Sequence, residues 1–167
     1  MSRRLFVALW PDAKVRHELT MLQARPEIRK AGGRTVSAKN IHMTLQFLGD
    51  VDASQQRALK AQLAEFVFEP VTLTLDRMGY WSRPGILWLG PRKTPPALSI
   101  AVQRLSNQLR ALGYRADGRG FKAHVTLARD ARAAKHFVFS PVTWYAETMV
   151  LVAPEPLPEG ARYTVLM

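Results

Sequence analysis

The chain has 167 residues, 24 lysines and arginines against 13 acids, a formal charge of +11, and 47% hydrophobic residues. That length allows one domain or two small lobes sharing a core, and the apolar content excludes a disordered chain. The chain has no cysteine, which excludes disulfides, thiolate nucleophiles and cysteine-based zinc sites; the positive charge suits a phosphate-bearing partner such as nucleic acid, or an anionic membrane surface.

The first stretch, MSRRLFVALWPD, has a basic pair and then an apolar run. The run from Leu5 to Trp10 is too short for the apolar region of a secretory signal, so it is read as a buried strand. Pro11 and Asp12 open a helix with an apolar stripe at Val15, Leu19 and Leu22; Pro26 breaks it and Gly32-Gly33 stop it. A polar loop leads to a strand over Ile41–Leu48, closed by Gly49-Asp50, and a second helix spans Ala53 to Phe66. The segment VTLTLDRMGYW alternates as a half-buried strand, RPG turns the chain, and ILWLG returns as the other arm of a hairpin. The clearest helix follows prolines 95 and 96, carries Leu98, Val102, Leu105 and Leu109 on one face, and ends at Gly113. A basic, glycine-rich loop enters HVTLARD, and the tail adds strands around TWYAETMVLVA and RYTVL, separated by a loop PEPLPEG. No apolar segment reaches the length of a membrane span, and the expected location is the cytoplasm.

Two pieces of this pattern repeat. In each half a helix ends at glycine and a basic loop delivers a His-x-Thr-Leu tetrapeptide: His42 to Leu45 and His124 to Leu127. The element order predicts an α+β fold of two pseudo-symmetric lobes, mainly antiparallel sheet with outer helices, read as a single unit over 1–167. Side chains two apart on a strand share a face, so His42 and Thr44 point one way and Met43 and Leu45 the other; His124 and Thr126 oppose Val125 and Leu127 in the same manner. Threonine is common in strands, and a lone histidine is usually structural. With threonine at about one residue in twenty, two such hits among four histidines is roughly a one-in-a-hundred coincidence, which favours function.

Two imidazoles titrating near neutrality can serve as acid and base on either side of a phosphodiester, while the hydroxyls of Thr44 and Thr126 bind non-bridging oxygens. Arg129, five residues after His124, is a candidate for the phosphate or an RNA backbone oxygen. A zinc site is the chemical rival, with Asp50 and Asp130 as conceivable ligands, but no HExxH and no third histidine in a matching setting support it; no metal and no cofactor are expected. His17 and His136 are read as incidental. Phe47, Trp81 and Tyr163 are candidate base-stacking aromatics but are read as core, Phe47 because it shares parity with Met43 and Leu45.

These motifs resemble the two-histidine phosphoesterase superfamily and, within it, the RNA 2',3'-cyclic phosphodiesterase (2'-5' RNA ligase) family. The matching pieces are RLFVALWPD, NIHMTLQFLGDV, GILWLG, FKAHVTLARDA and ARYTVL, in the family's order and across nearly the whole chain. The resemblance implies a bilobal fold with the motifs facing across a central cleft, and hydrolysis of 2',3'-cyclic phosphate RNA ends to 2'-phosphates. It implies His42 as proton donor and His124 as proton acceptor; the near-symmetric motifs do not assign these roles by themselves. Arg129 matches an arginine that follows the family's second motif. Ala123 stands where the family often has proline, which leaves His124 and Thr126 in place. The expected partners are RNA ends or small cyclic nucleotide phosphates, handled by a monomer. Reversible 2'-5' ligation, another cyclic nucleotide phosphate as substrate, and an RNA-binding module without chemistry are the alternatives.

Overall fold

Regular alternation gives the first strand two different faces. Leu5, Val7 and Leu9 enter the main core, whereas Phe6 and Ala8 form a second buried cluster with Val150 and Val152. This strand, β1 (Arg3–Leu9), is internal to its sheet, with one face on the main core and the other sharing a small apolar cluster with the neighbouring strand. In the computed structural model, which describes residues 1–167, the elements that follow are α1 (Ala13–Gln23), α2 (Pro26–Arg29), β2 (Arg34–Thr35), β3 (Met43–Val51), α3 (Ala53–Ala64), β4 (Val71–Leu75), β5 (Arg77–Trp81), β6 (Ile86–Gly90), α4 (Pro96–Arg110), β7 (Val125–Arg129), β8 (Val142–Ala146), β9 (Met149–Leu157) and β10 (Gly160–Val165). A single 3-10 turn, Ala38–Asn40, precedes β3.

Two four-stranded antiparallel sheets result, ordered β10-β9-β1-β3 and β2-β7-β6-β5, with β4 and β8 as a separate pair. One cluster of 36 buried residues draws on both large sheets, so the lobes share a core. Local chemistry starts the helices where expected. The Asp12 carboxylate accepts the Val15 N–H at 2.9 Å, and Asp52 forms a capping box with Gln55. α4 presents Leu98, Val102, Leu105 and Leu109 to the core from one face.

Four boundaries differ from the sequence reading. VTLTLDRMGYW is two strands, because the Asp76 carboxylate accepts the Arg92 N–H at 2.8 Å at the break; β4 leaves to pair with β8, and only β5 forms the hairpin with β6. TWYAETMVLVA also divides, at 147–148, into β8 and β9. Most of PEPLPEG is strand, since β9 runs to Leu157 and pairs with β10. Gly49-Asp50 do not close β3, which continues to Val51 opposite Arg3.

Gly33, at the turn that enters β2, has a specific task beside β7, the second motif strand. Gly33 has φ +79°, and a Cβ there would collide with the backbone of Arg129 and Asp130. Only glycine lets β2 approach β7 this closely.

Candidate active site

Each histidine sits just before its strand, β3 or β7, and its ring is held by its own backbone. His42 Nδ1 lies 2.6 Å from the Asn40 carbonyl, and His124 Nδ1 lies 2.7 Å from the Lys122 carbonyl. A carbonyl oxygen can only accept, so Nδ1 carries the proton in both rings. Nε2 is thereby the nitrogen free for proton transfer in each. The partner is two residues upstream in both halves, one element of the repeat that the tetrapeptides alone do not display. Asn40 is itself 7% exposed and donates through Nδ2 to the Ala161 carbonyl at 2.7 Å, tying the turn before His42 to β10.

Both tetrapeptides then bulge at their leucine. In β3, Thr44 pairs with Ala8 and Gln46 with Val7, leaving Leu45 unmatched; in β7, Thr126 pairs with Trp88 and Ala128 with Leu87, leaving Leu127 unmatched. An extra residue reverses the parity of everything after it. The fifth residue after each histidine would face the core in a regular strand. Here Phe47 and Arg129, at equivalent positions, both face the cleft. This corrects the reading of Phe47 as core: it pairs with Phe6, packs 5.9 Å from that ring, and is 69% exposed. The same bulge is what delivers Arg129.

His42, Thr44, His124, Thr126 and Arg129 line one cleft of ≈ 520 Å³ between the sheets, together with Arg4, Phe6, Phe47, Asp50, Trp81 and Tyr163. Trp81 and Tyr163, also read as core, are half-buried walls of this cleft. Trp81 meets the His124 ring edge-on at 4.7 Å, and Tyr163 meets His42 edge-on at 5.2 Å. His42 stacks on Phe6 at 4.9 Å and on Trp10 at 5.3 Å, two residues that flank Ala8 on one side of the β1 line. Sequence reasoning missed Phe6, Trp10 and Arg4. The signal for the first two was present, since Phe6, Ala8 and Trp10 alternate opposite the core residues. Arg4 left none beyond its place in a basic pair.

This aromatic enclosure has an electrostatic consequence. Burial pushes the His42 imidazole down to about 4, with the Arg129 and His124 charges adding to the effect, while the Asn40 carbonyl opposes it. Burial also lowers His124, again helped by Arg129 and opposed by the Lys122 carbonyl. Without an anion in the cleft, both imidazoles are neutral at pH 7. His42 Nε2 lies 3.1 Å from Thr44 Oγ1, so the hydroxyl can donate to it and hand over to a phosphate oxygen when one binds.

Asp50 lines the cleft, but Asp130 turns outward to pair with Arg34 at 2.8 Å. Nowhere in the chain do three or more His, Asp or Glu side chains gather as a metal site would require. His17 is exposed on α1, and His136 borders a different groove. No helix is long and apolar enough to cross a membrane.

Two imidazoles, two hydroxyls and a guanidinium gathered in one cleft are groups suited to phosphoester chemistry, and the known proteins that this chain resembles belong to a phosphoesterase class. The profile of the family described as LigT like Phosphoesterase matches residues 9–88, which include the first motif. The RNA 2',3'-cyclic phosphodiesterase of Escherichia coli K12 is 36% identical over 98% of this chain and 94% of its own length. That of Archaeoglobus fulgidus is 29% identical over 77% and 73% of the two chains. The crystal structure of E. coli LigT in apo form superposes with a TM-score of 0.85 at 34% identity, covering 99% of this chain and 95% of that one. Its complex with 3'-AMP gives 0.83 at 34% identity, covering 100% and 97%. The chain belongs to the LigT-like phosphoesterase family.

Proposed function

We propose that this protein hydrolyses 2',3'-cyclic phosphate ends of RNA to 2'-phosphomonoesters by acid–base catalysis between His42 and His124, without a metal. One observation carries the reading: two imidazoles, each locked through Nδ1 to a backbone carbonyl, share a cleft with both motif threonines and Arg129. The names of the relatives supply the substrate class.

In this mechanism His124 Nε2 accepts a proton from water as the water oxygen bonds to phosphorus. The P–O3' bond breaks in line, and His42 Nε2–H gives its proton to the departing O3'. The phosphate stays on O2'. Thr44, Thr126 and Arg129 bind the non-bridging oxygens and stabilise the charge that builds on them. The donor needs a proton that the empty cleft withholds, and the substrate's own negative charge brings it. Aromatic walls at Phe47, Trp81 and Tyr163 offer faces for the terminal base.

Incubating the protein with an oligoribonucleotide ending in a 2',3'-cyclic phosphate, and resolving the products, tests the proposal. A 2'-phosphate end formed in the presence of chelator is the expected result. A 3'-phosphate end, or activity abolished by chelator, contradicts it.

A further inference from the structure

A second groove of ≈ 550 Å³ runs along β5, the edge strand of its sheet, with residues 134–139 forming the opposite wall. Three cations line it, Arg77, Arg92 and Lys135, all outside the ion pairs that the chain forms with its carboxylates. The one acid on its wall, Asp76, already accepts the Arg92 backbone N–H at 2.8 Å. Phe137 and Phe139 give it an apolar side. Unpaired cations beside aromatic surface form the chemistry that tracks a single-stranded nucleic acid.

The groove is joined to the catalytic cleft by one face of the β5–β6–β7 sheet. Arg77, Gly79 and Trp81 alternate along β5; Gly79 pairs with Trp88 on β6, and Trp88 pairs with Thr126 on β7. The Trp88 ring lies 5.2 Å from Trp81 and 6.4 Å from His124, and the Arg77 guanidinium lies over it at 5.7 Å from its centroid. These distances cap the separation of Arg77 from the His124 ring at about 12 Å, within reach of the next few nucleotides of a strand whose end is in the cleft. Gly79 keeps the path low, since a Cβ there would run into the Trp88 ring.

We infer that the β5 groove binds the sugar–phosphate backbone of the nucleotides 5' to the cyclic end, making the enzyme selective for oligonucleotides over cyclic mononucleotides. The inference rests on the phosphodiesterase reading above and specifies its substrate. Arg92, beside Asp76, and Lys135, on the opposite wall, hold the backbone, and Arg77 holds it where it leaves the Trp81–Trp88 shelf.

The test compares wild type with the double variant Arg92→Gln/Lys135→Gln on two substrates, a short oligoribonucleotide with a 2',3'-cyclic phosphate end and the matching cyclic mononucleotide. Both side chains lie outside the core, and thermal unfolding checks that the variant is folded. The expected result is an oligonucleotide kcat/KM about tenfold lower in the variant, with the mononucleotide value unchanged. The logarithmic salt dependence for the oligonucleotide should become shallower by roughly 1.4, at about 0.7 for each phosphate no longer neutralised. Equal kcat/KM for both substrates in wild type, or an oligonucleotide value untouched by the double substitution, overturns the groove while leaving the phosphodiesterase reading standing. Wild type inert on both substrates refutes the underlying reading instead.

Discussion

A phosphodiester anion entering the cleft should pull a proton onto His42. In the empty site burial among Phe6, Trp10 and Tyr163 holds this imidazole at about 4, so only about one molecule in a thousand carries the proton at pH 7. A unit negative charge about 4 Å away, at an effective dielectric of about 20, favours the imidazolium by about 4 kcal/mol. That corresponds to a rise of about three pH units and brings His42 to about 7 in the complex. The ligand binds the protonated form better, so affinity rises as pH falls from about 7 toward about 4 and then levels. A dinucleotide phosphodiester is the suitable ligand, because its single charge does not change near neutrality. Its affinity measured by calorimetry should weaken by about fiftyfold between about pH 5 and pH 7, with proton uptake, while NMR follows the His42 ring directly. An affinity independent of pH over that range, or a His42 resonance still titrating near pH 4 in the complex, would refute the idea that substrate charges the donor.

The same buried imidazole makes the fold acid-sensitive. His42 titrates at an ordinary 6.5 when unfolded and at about 4 when folded, so its contribution is present above about 6.5 and is lost as pH falls. Wild type should lose about 2 kcal/mol from this group between pH 7 and pH 5, and His42→Gln should lose less by that amount in denaturant titrations. Gln46 is 5% exposed, and neither of its amide atoms has a hydrogen-bond partner. Gln46→Met should stabilise the protein by about 1–2 kcal/mol, read as a higher Tm; an unchanged or lower Tm would mean a buried water satisfies the amide. Gly79→Ala should displace the Trp88 ring toward Trp81 and His124, changing tryptophan fluorescence and lowering kcat with little loss of Tm, and wild-type turnover would contradict the close packing.

What the sequence disclosed divides along a physical line. Local patterns located β1, α1, α3 and α4, because apolar spacing and start and stop residues such as Asp12 and Gly113 act within a few positions of the element they bound. The repeated tetrapeptide disclosed the two histidines and threonines, because a strand's alternation places i and i+2 together whatever lies around it. Bulges are not local in that sense. They record how β3 fits β1 and how β7 fits β6, so the emergence of Phe47 on the cleft side was invisible to parity counting. The aromatic box around His42 was hidden for a related reason: Phe6, Trp10 and Tyr163 come from opposite ends of the chain and meet only through the pairing of β1, β9 and β10. The pairing of β4 with β8 was likewise beyond reach, since a strand's partner is set by tertiary packing and the hairpin rule favours the nearest neighbour.

A substrate with sulfur in place of the bridging 3' oxygen separates the proposed roles of His42 as proton donor and His124 as proton acceptor. A thiolate leaves without protonation, so the variant that lacks only the donor no longer needs it. His42→Ala, inactive on the oxygen substrate, should recover turnover of the 3'-sulfur analogue, whereas His124→Ala should stay inactive on both. Recovery by His124→Ala and not by His42→Ala would contradict the assignment and reverse the two roles.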